Sequence, residues 1–214
     1  MASNKTDPRV IKTRNSLRKA LVYLMRRKKL EDINVQQITE AANITRGTFY
    51  LHYKDKQDFI DSAIEEVLNE FFNYVMVDSQ SLSNANGQKV QVLSLQRAFQ
   101  FIEKEADIFD VLLNDDKNNF FYKQLYGRLL DQLTNFYTES IEPEEQLEVP
   151  LNIQISFINS ALLGLIRHWL DDGMIYTPHY MAQSVTKMFE QLNSDHVILL
   201  DFFSNEPASV LQDS

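Results

Sequence analysis

The 214 residues predict an all-α protein with a small N-terminal head and a larger C-terminal body. Three observations point there. Turn residues are sparse, with five Gly and five Pro in the whole chain. Apolar residues recur at helical spacing through most of it. Cap residues (Asp7, Asn34, Thr45, Asp55, Thr177) stand just before the periodic stretches.

The first helix is expected over about Pro8–Arg27. Asp7 caps it and Pro8 suits its first turn. Val10, Leu17, Leu21 and Leu24 share a face. The second starts at Asn34, where Asn34 and Gln37 have capping-box spacing. Val35, Ile38, Ala41 and Ala42 are its expected inward face. Asn43 tolerates the left-handed backbone of a tight turn, and Thr45 caps a third helix over about Arg46–Tyr53. Phe49 and Tyr53, four apart, face inward. A fourth helix, 55–77, links the head (1–56) to the body (57–214).

Ser79–Gln88 reads as a loop. Helical patterns follow over about Val90–Lys104, Ala106–Asn114, Asn118–Glu139, Pro150–Asp171 and Pro178–Leu192, with a break at Ile141–Gln146. Gly173 ends the fourth of these. Val197–Phe203 is apolar and fits either a short helix or an extended segment packed on the body.

Charge divides the chain in the same place. Residues 1–56 carry 13 Lys and Arg against 5 Asp and Glu, a net of +8; residues 57–214 carry 8 against 25, a net of −17. Such a molecule meets polyanions with one end only. The short helix after the tight turn concentrates donors: Thr45, Arg46, Thr48, Tyr50, His52 and, just beyond, Lys54 and Lys56. That is the layout of a helix-turn-helix whose second helix enters the DNA major groove. Arg46 suits a bidentate pair to guanine. The hydroxyls of Thr48 and Tyr50 suit phosphate oxygens. Lys56, beside the start of the fourth helix, is expected on phosphate too. Gly47, lacking a Cβ, lets backbone approach a partner closely.

Other chemistries lack their residues. There is no Cys, only four His, no phosphate-cradling glycine loop and no Ser in a nucleophile-elbow setting, so an enzyme is not expected. His168 and His179, with Asp171 and Asp172 between them, make a zinc site conceivable, but scattered His and Asp at helix ends are more often structural; neither metal nor cofactor is expected. The N-terminus is polar, and the longest uncharged stretch, Val149–Ile166, is broken by Asn, Gln and Ser, so a cytoplasmic protein is expected rather than a membrane protein.

Residues 9–56 resemble the DNA-binding domain of the TetR-type (tetracycline-repressor-like) regulators. Thr48-Phe49-Tyr50-x-His52-Tyr53-Lys54-x-Lys56 is close to that family's T-[LF]-Y-x-[HY]-[FV]-x-x-K. Val35-x-x-Ile38-x-x-Ala41 matches its second helix and Asn43–Gly47 its turn. Ala161–Ile166, with Trp169-Leu170 and Gly173-Met174, is similar to the C-terminal part of a subgroup that includes dihydroxyacetone-kinase regulators. The resemblance implies an all-α homodimer on a palindromic double-stranded operator, repressing until a small molecule enters the body. It implies that Arg46 and Gly47 meet base edges, that Thr48, Tyr50, His52 and Lys56 meet phosphates or flanking bases, and that Gln36 and Gln37 are lesser contacts. Val35 departs from the hydroxyl residue common there, which puts one phosphate contact in doubt. A relative acting through a protein partner, as a coactivator, is the alternative; the intact Arg46–Lys56 cluster separates the two.

In the body, Ser160, Ala161 and Gly164 form a small-residue stripe, and Met181, Val185 and Met188 recur on the next helix; both are expected at a dimer face rather than in an internal core. The aromatic-rich body is expected to hold an apolar or amphipathic effector, with Phe71, Phe99 and Phe121 as lining candidates.

Overall fold

The computed structural model describes residues 7–84, 86–113, 119–140, 149–192 and 198–204. They form two compact units, Met1–Asn69 and Glu70–Ser214. The fold is helical, with one small sheet that the periodicity did not predict.

The first unit contains α1 (Pro8–Met25), a 3-10 turn at Leu30–Asp32, α2 (Val35–Ala41), α3 (Arg46–Tyr50) and the first part of α4 (Lys56–Val75). Each start carries its expected cap. Asp7 accepts the Arg9 N–H at 2.9 Å. Asn34 and Gln37 exchange side-chain and backbone bonds at 3.0 and 3.1 Å. Asp55 accepts the Asp58 N–H at 2.9 Å, while Asp58 accepts the Lys54 N–H at 2.8 Å. Leu17, Ile33, Ile38, Phe49 and Phe59 make the core of this unit. On α2 the inward pair is Ile38 and Thr39; Ala41, expected inside, is exposed.

The second unit opens with a hairpin where a loop was expected. β1 (Met76–Ser83) runs antiparallel to β2 (Lys89–Ser94), with Met76 opposite Leu93 and Val77 opposite Val92. Asn84 turns the chain by accepting the Asn86 and Gln88 N–H groups at 3.0 Å each, and Gly87 supplies a φ of 75°. β2 alternates exposed Lys89 and Gln91 with buried Val90 and Val92, a period of two that was readable within the expected helix. β1 has no such alternation: its polar residues become a strand because β2 supplies the ladder partners.

α5 (Leu95–Lys104), α6 (Ala106–Leu113), α7 (Phe120–Ser140), α8 (Leu151–Asp171) and α9 (Pro178–Leu192) follow, as the helical patterns predicted. The expected break at Ile141–Gln146 lies outside the described residues. Gly173, at φ 71°, closes α8: its N–H reaches the Leu170 carbonyl and the Met174 N–H reaches that of Trp169. α9 packs on α5, and α7 on α8. The apolar tail forms a 3-10 turn, Ile198–Phe202, then β3 (Phe203–Ser204), which adds parallel to β2. Phe202 is buried against Phe136, with ring centres 5.4 Å apart.

Candidate nucleic-acid interface

α3 is held by one buried ring. Phe49, 0% exposed, meets Tyr50, Tyr53 and Phe59 at centroid distances of 5.4, 5.5 and 5.6 Å. The turn before it is a full Schellman motif. Asn43 has φ 54°, its N–H bonds the Glu40 carbonyl at 3.1 Å, and the Ile44 N–H bonds that of Thr39 at 3.0 Å. Thr45 then caps α3 by accepting the Thr48 N–H at 3.1 Å. Burial raises the Tyr53 phenol to about 12, helped by the nearby Glu66 carboxylate. Tyr53 is therefore a neutral core ring.

With Phe49 and Tyr53 inside, the opposite face is left to Arg46, Gly47, Tyr50 and Leu51, all exposed. Arg46 has no hydrogen-bond or ion-pair partner among the described residues. A Cβ on Gly47 would meet only the Thr45 hydroxyl, at 3.7 Å, so the chain itself does not require glycine there. Thr48 and His52 are half-buried at the edge of this face, and the hydroxyls of Thr48 and Thr45 lie 2.9 Å apart.

Three expected contacts are engaged inside the chain. Gln36 donates to the Glu40 carboxylate at 2.9 Å. Gln37 spends its side-chain oxygen on the capping box. Lys56 is a correction: its ammonium donates to the carbonyls of Leu30 at 3.0 Å, Glu31 at 3.4 Å and Ile33 at 2.8 Å. All three of its N–H groups are used by the turn between α1 and α2, so it ties that turn to the start of α4 rather than meeting phosphate. Lys54, two residues earlier, is exposed. Leu51, 82% exposed, was missed as a candidate. The spacing held the signal, since a residue midway between inward Phe49 and Tyr53 points outward.

In the second unit the small-residue stripe is on the surface. Ser160, Ala161 and Gly164 are exposed, with Ile153 at 55% and Phe157 at 65% along the same face of α8. On α9 the expectation divides. Met188 is 46% exposed, but Met181 and Val185 are 5% and 1% exposed and belong to the core where α9 packs on α5. A second copy cannot reach them. Phe71, Phe99 and Phe121 are also core. Phe71 packs edge-on against Phe72 and Phe101, Phe121 against Phe109, and Phe99 against Trp169, and all three rings are buried. A cavity of about 340 Å³ in the second unit lies among the hairpin, the end of α9 and residues 200–204. His168 pairs with Asp172 at 3.3 Å on the surface and His179 with Gln96 at 3.0 Å; among the described residues no three His or carboxylates converge as metal ligands. No helix of the described residues is long and apolar enough to cross a membrane.

Residues 93–191 match the TetR family described as transcriptional regulator C-terminal region. The HTH-type transcriptional regulator YxbF of Bacillus subtilis is 24% identical over 202 residues, 91% of this chain and 48% of that protein. The C-terminal half of the chain is thus similar to TetR-type transcriptional regulators. The chain spans about half the length of that relative. Two solved structures share the fold of this chain. A TetR transcriptional regulator from Streptococcus agalactiae is 20% identical with a TM-score of 0.57, covering 83% of this chain and 93% of its own. A TetR-family transcriptional regulator from Streptomyces coelicolor is 16% identical with a TM-score of 0.51, covering 88% of each. The family and the relatives are regulators, not enzymes.

Proposed function

We propose that this chain is a TetR-type regulator that binds a palindromic DNA operator as a homodimer in the cytoplasm, represses there, and releases when a small molecule binds the second unit. One observation carries the DNA reading: the outer face of α3 presents Arg46, Gly47, Tyr50 and Leu51 with Phe49 locking the helix from behind. Arg46 reads guanine, Leu51 meets a thymine methyl or sugar, and Tyr50, Thr48 and His52 take phosphate or flanking bases. Lys54 takes the phosphate role that Lys56 is not free to play. The exposed face of α8 supports the homodimer. A Cβ on Gly164 would meet nothing within 4 Å of the chain itself, so that mid-helix glycine leaves room for a partner's close approach.

The test is an anisotropy titration of the full chain against duplex fragments flanking its own gene, repeated across salt. The expected result is a dimer on a palindrome, with log affinity falling steeply against log salt. Absence of any specific fragment, with the protein folded, would favour a coactivator that works through a protein partner.

A further inference from the structure

The cavity of the second unit has a one-sided lining. Leu82, Val92, Phe189, Leu200 and Phe203 give it an apolar floor. Among the described residues its charged lining groups are acidic: Glu190 on α9 and Asp201 on the tail turn. Neither carboxylate has a hydrogen-bond or ion-pair partner among the described residues. Thr186 spends its O–H on the Ala182 carbonyl at 3.0 Å, which leaves only lone pairs to the cavity. At about 340 Å³ the space suits a small organic molecule.

We propose that this cleft binds a small organic cation with an apolar body, its ammonium group at the Glu190 and Asp201 carboxylates and its body on Phe189, Phe203 and Leu200. An anion is repelled by both carboxylates. A neutral molecule gains the floor but leaves the two charges unmatched. Burial already pushes the Asp201 carboxyl above its ordinary range, so a cation there restores a charge that the site disfavours. The ligand would also tie the tail to the body. Asp201 sits two residues before β3, which among the described residues pairs to β2 at Leu93–Phe203 and Ser94–Ser204, while Glu190 sits on α9. Bridging the two holds the 3-10 turn and β3 in place. As the switch of a DNA-binding regulator, the site rests on the function proposed above; as a binding site it does not.

Calorimetric titration of the full chain at pH 7 tests it with three probes of one skeleton: 2-phenylethylamine, 2-phenylethanol and 3-phenylpropanoate. The cation should bind about tenfold or more tightly than the alcohol, a difference of about 1.4 kcal/mol, and the anion should show no heat of binding. The double variant Glu190→Gln/Asp201→Asn should bring cation and alcohol within about twofold. Ser81→Arg, on an exposed position lining the cleft, should abolish cation binding with an unchanged melting temperature, and it decides the matter if the double variant fails to fold. Equal affinity for the three probes, or a cation that binds Ser81→Arg as it binds the parent, overturns the site. Operator affinity is measured separately. Cation binding that leaves DNA affinity unchanged defeats the switch and keeps the site.

Discussion

The ammonium of Lys56 lies 2.8 Å from the carbonyl oxygen of Ile33, a residue 1% exposed at the entry to α2. With the carbonyls of Leu30 and Glu31 beside it, this lysine joins the turn after α1 to the start of α4. A charge that the chain pattern assigned to DNA is spent on holding the head together.

Lys56→Met should therefore act on folding. It strands carbonyls that had a charged donor and should cost about 2 kcal/mol of stability in the first unit. Lys54→Ala should leave melting unchanged and reduce the salt slope of operator binding by about one. Thermal melts and salt titrations of both variants check this. A flattened slope without destabilisation in Lys56→Met would return that residue to the interface.

Arg46→Ala should relax sequence preference. The expected loss is about 1–3 kcal/mol per half-site on the matched operator and much less on a mismatched one. Competition titrations against single-base operator variants measure it. Equal losses on both duplexes would make Arg46 a phosphate contact.

Gly164→Leu separates partner from chain. Inside the chain a Cβ at this exposed position meets open space, and leucine favours helix over glycine by about 0.8 kcal/mol, so the monomer should not lose stability. Across a dimer face it collides. Sedimentation at several concentrations should show dissociation, as it should for Phe157→Glu, whose side chain is 65% exposed. An unchanged dimer in both would place the interface off α8.

Tyr53 makes the head sensitive to alkali. Its phenol is raised from about 10 to about 12, so folding favours the protonated ring. That contribution is whole below pH 10 and drains away between pH 10 and 12, on the order of 2 kcal/mol at the upper end. Tyr53→Phe should lose less stability than the parent over this interval. Parallel pH–stability curves for the two would mean that Tyr53 ionises without cost.

Much of the candidate interface was legible because it is local. Caps and turns act within four residues, and Asn43, Thr45 and Asp55 each satisfy backbone groups next to themselves. The inward pair Phe49 and Tyr53 follows from helical spacing, and it leaves Arg46, Tyr50 and Leu51 facing out.

The roles decided by distant partners were not legible in this way. Lys56 meets carbonyls 23 to 26 positions away, and nothing in its own neighbourhood announces them. β1 is a polar segment that becomes a strand only because β2 offers its ladder, and β3 joins from the far end of the chain. Met181 and Val185 carry the same helical pattern as a dimer stripe, because periodicity marks an apolar face without saying what covers it. Packing on α5 buried them, while one face of α8 stayed exposed and Phe71, Phe99 and Phe121 went into aromatic contacts. The sequence alone determined the helices, their caps and the outward face of α3, each set within a turn or two of chain. Tertiary packing decided which apolar faces are interior and which charges are free, since both depend on residues that only the fold brings together.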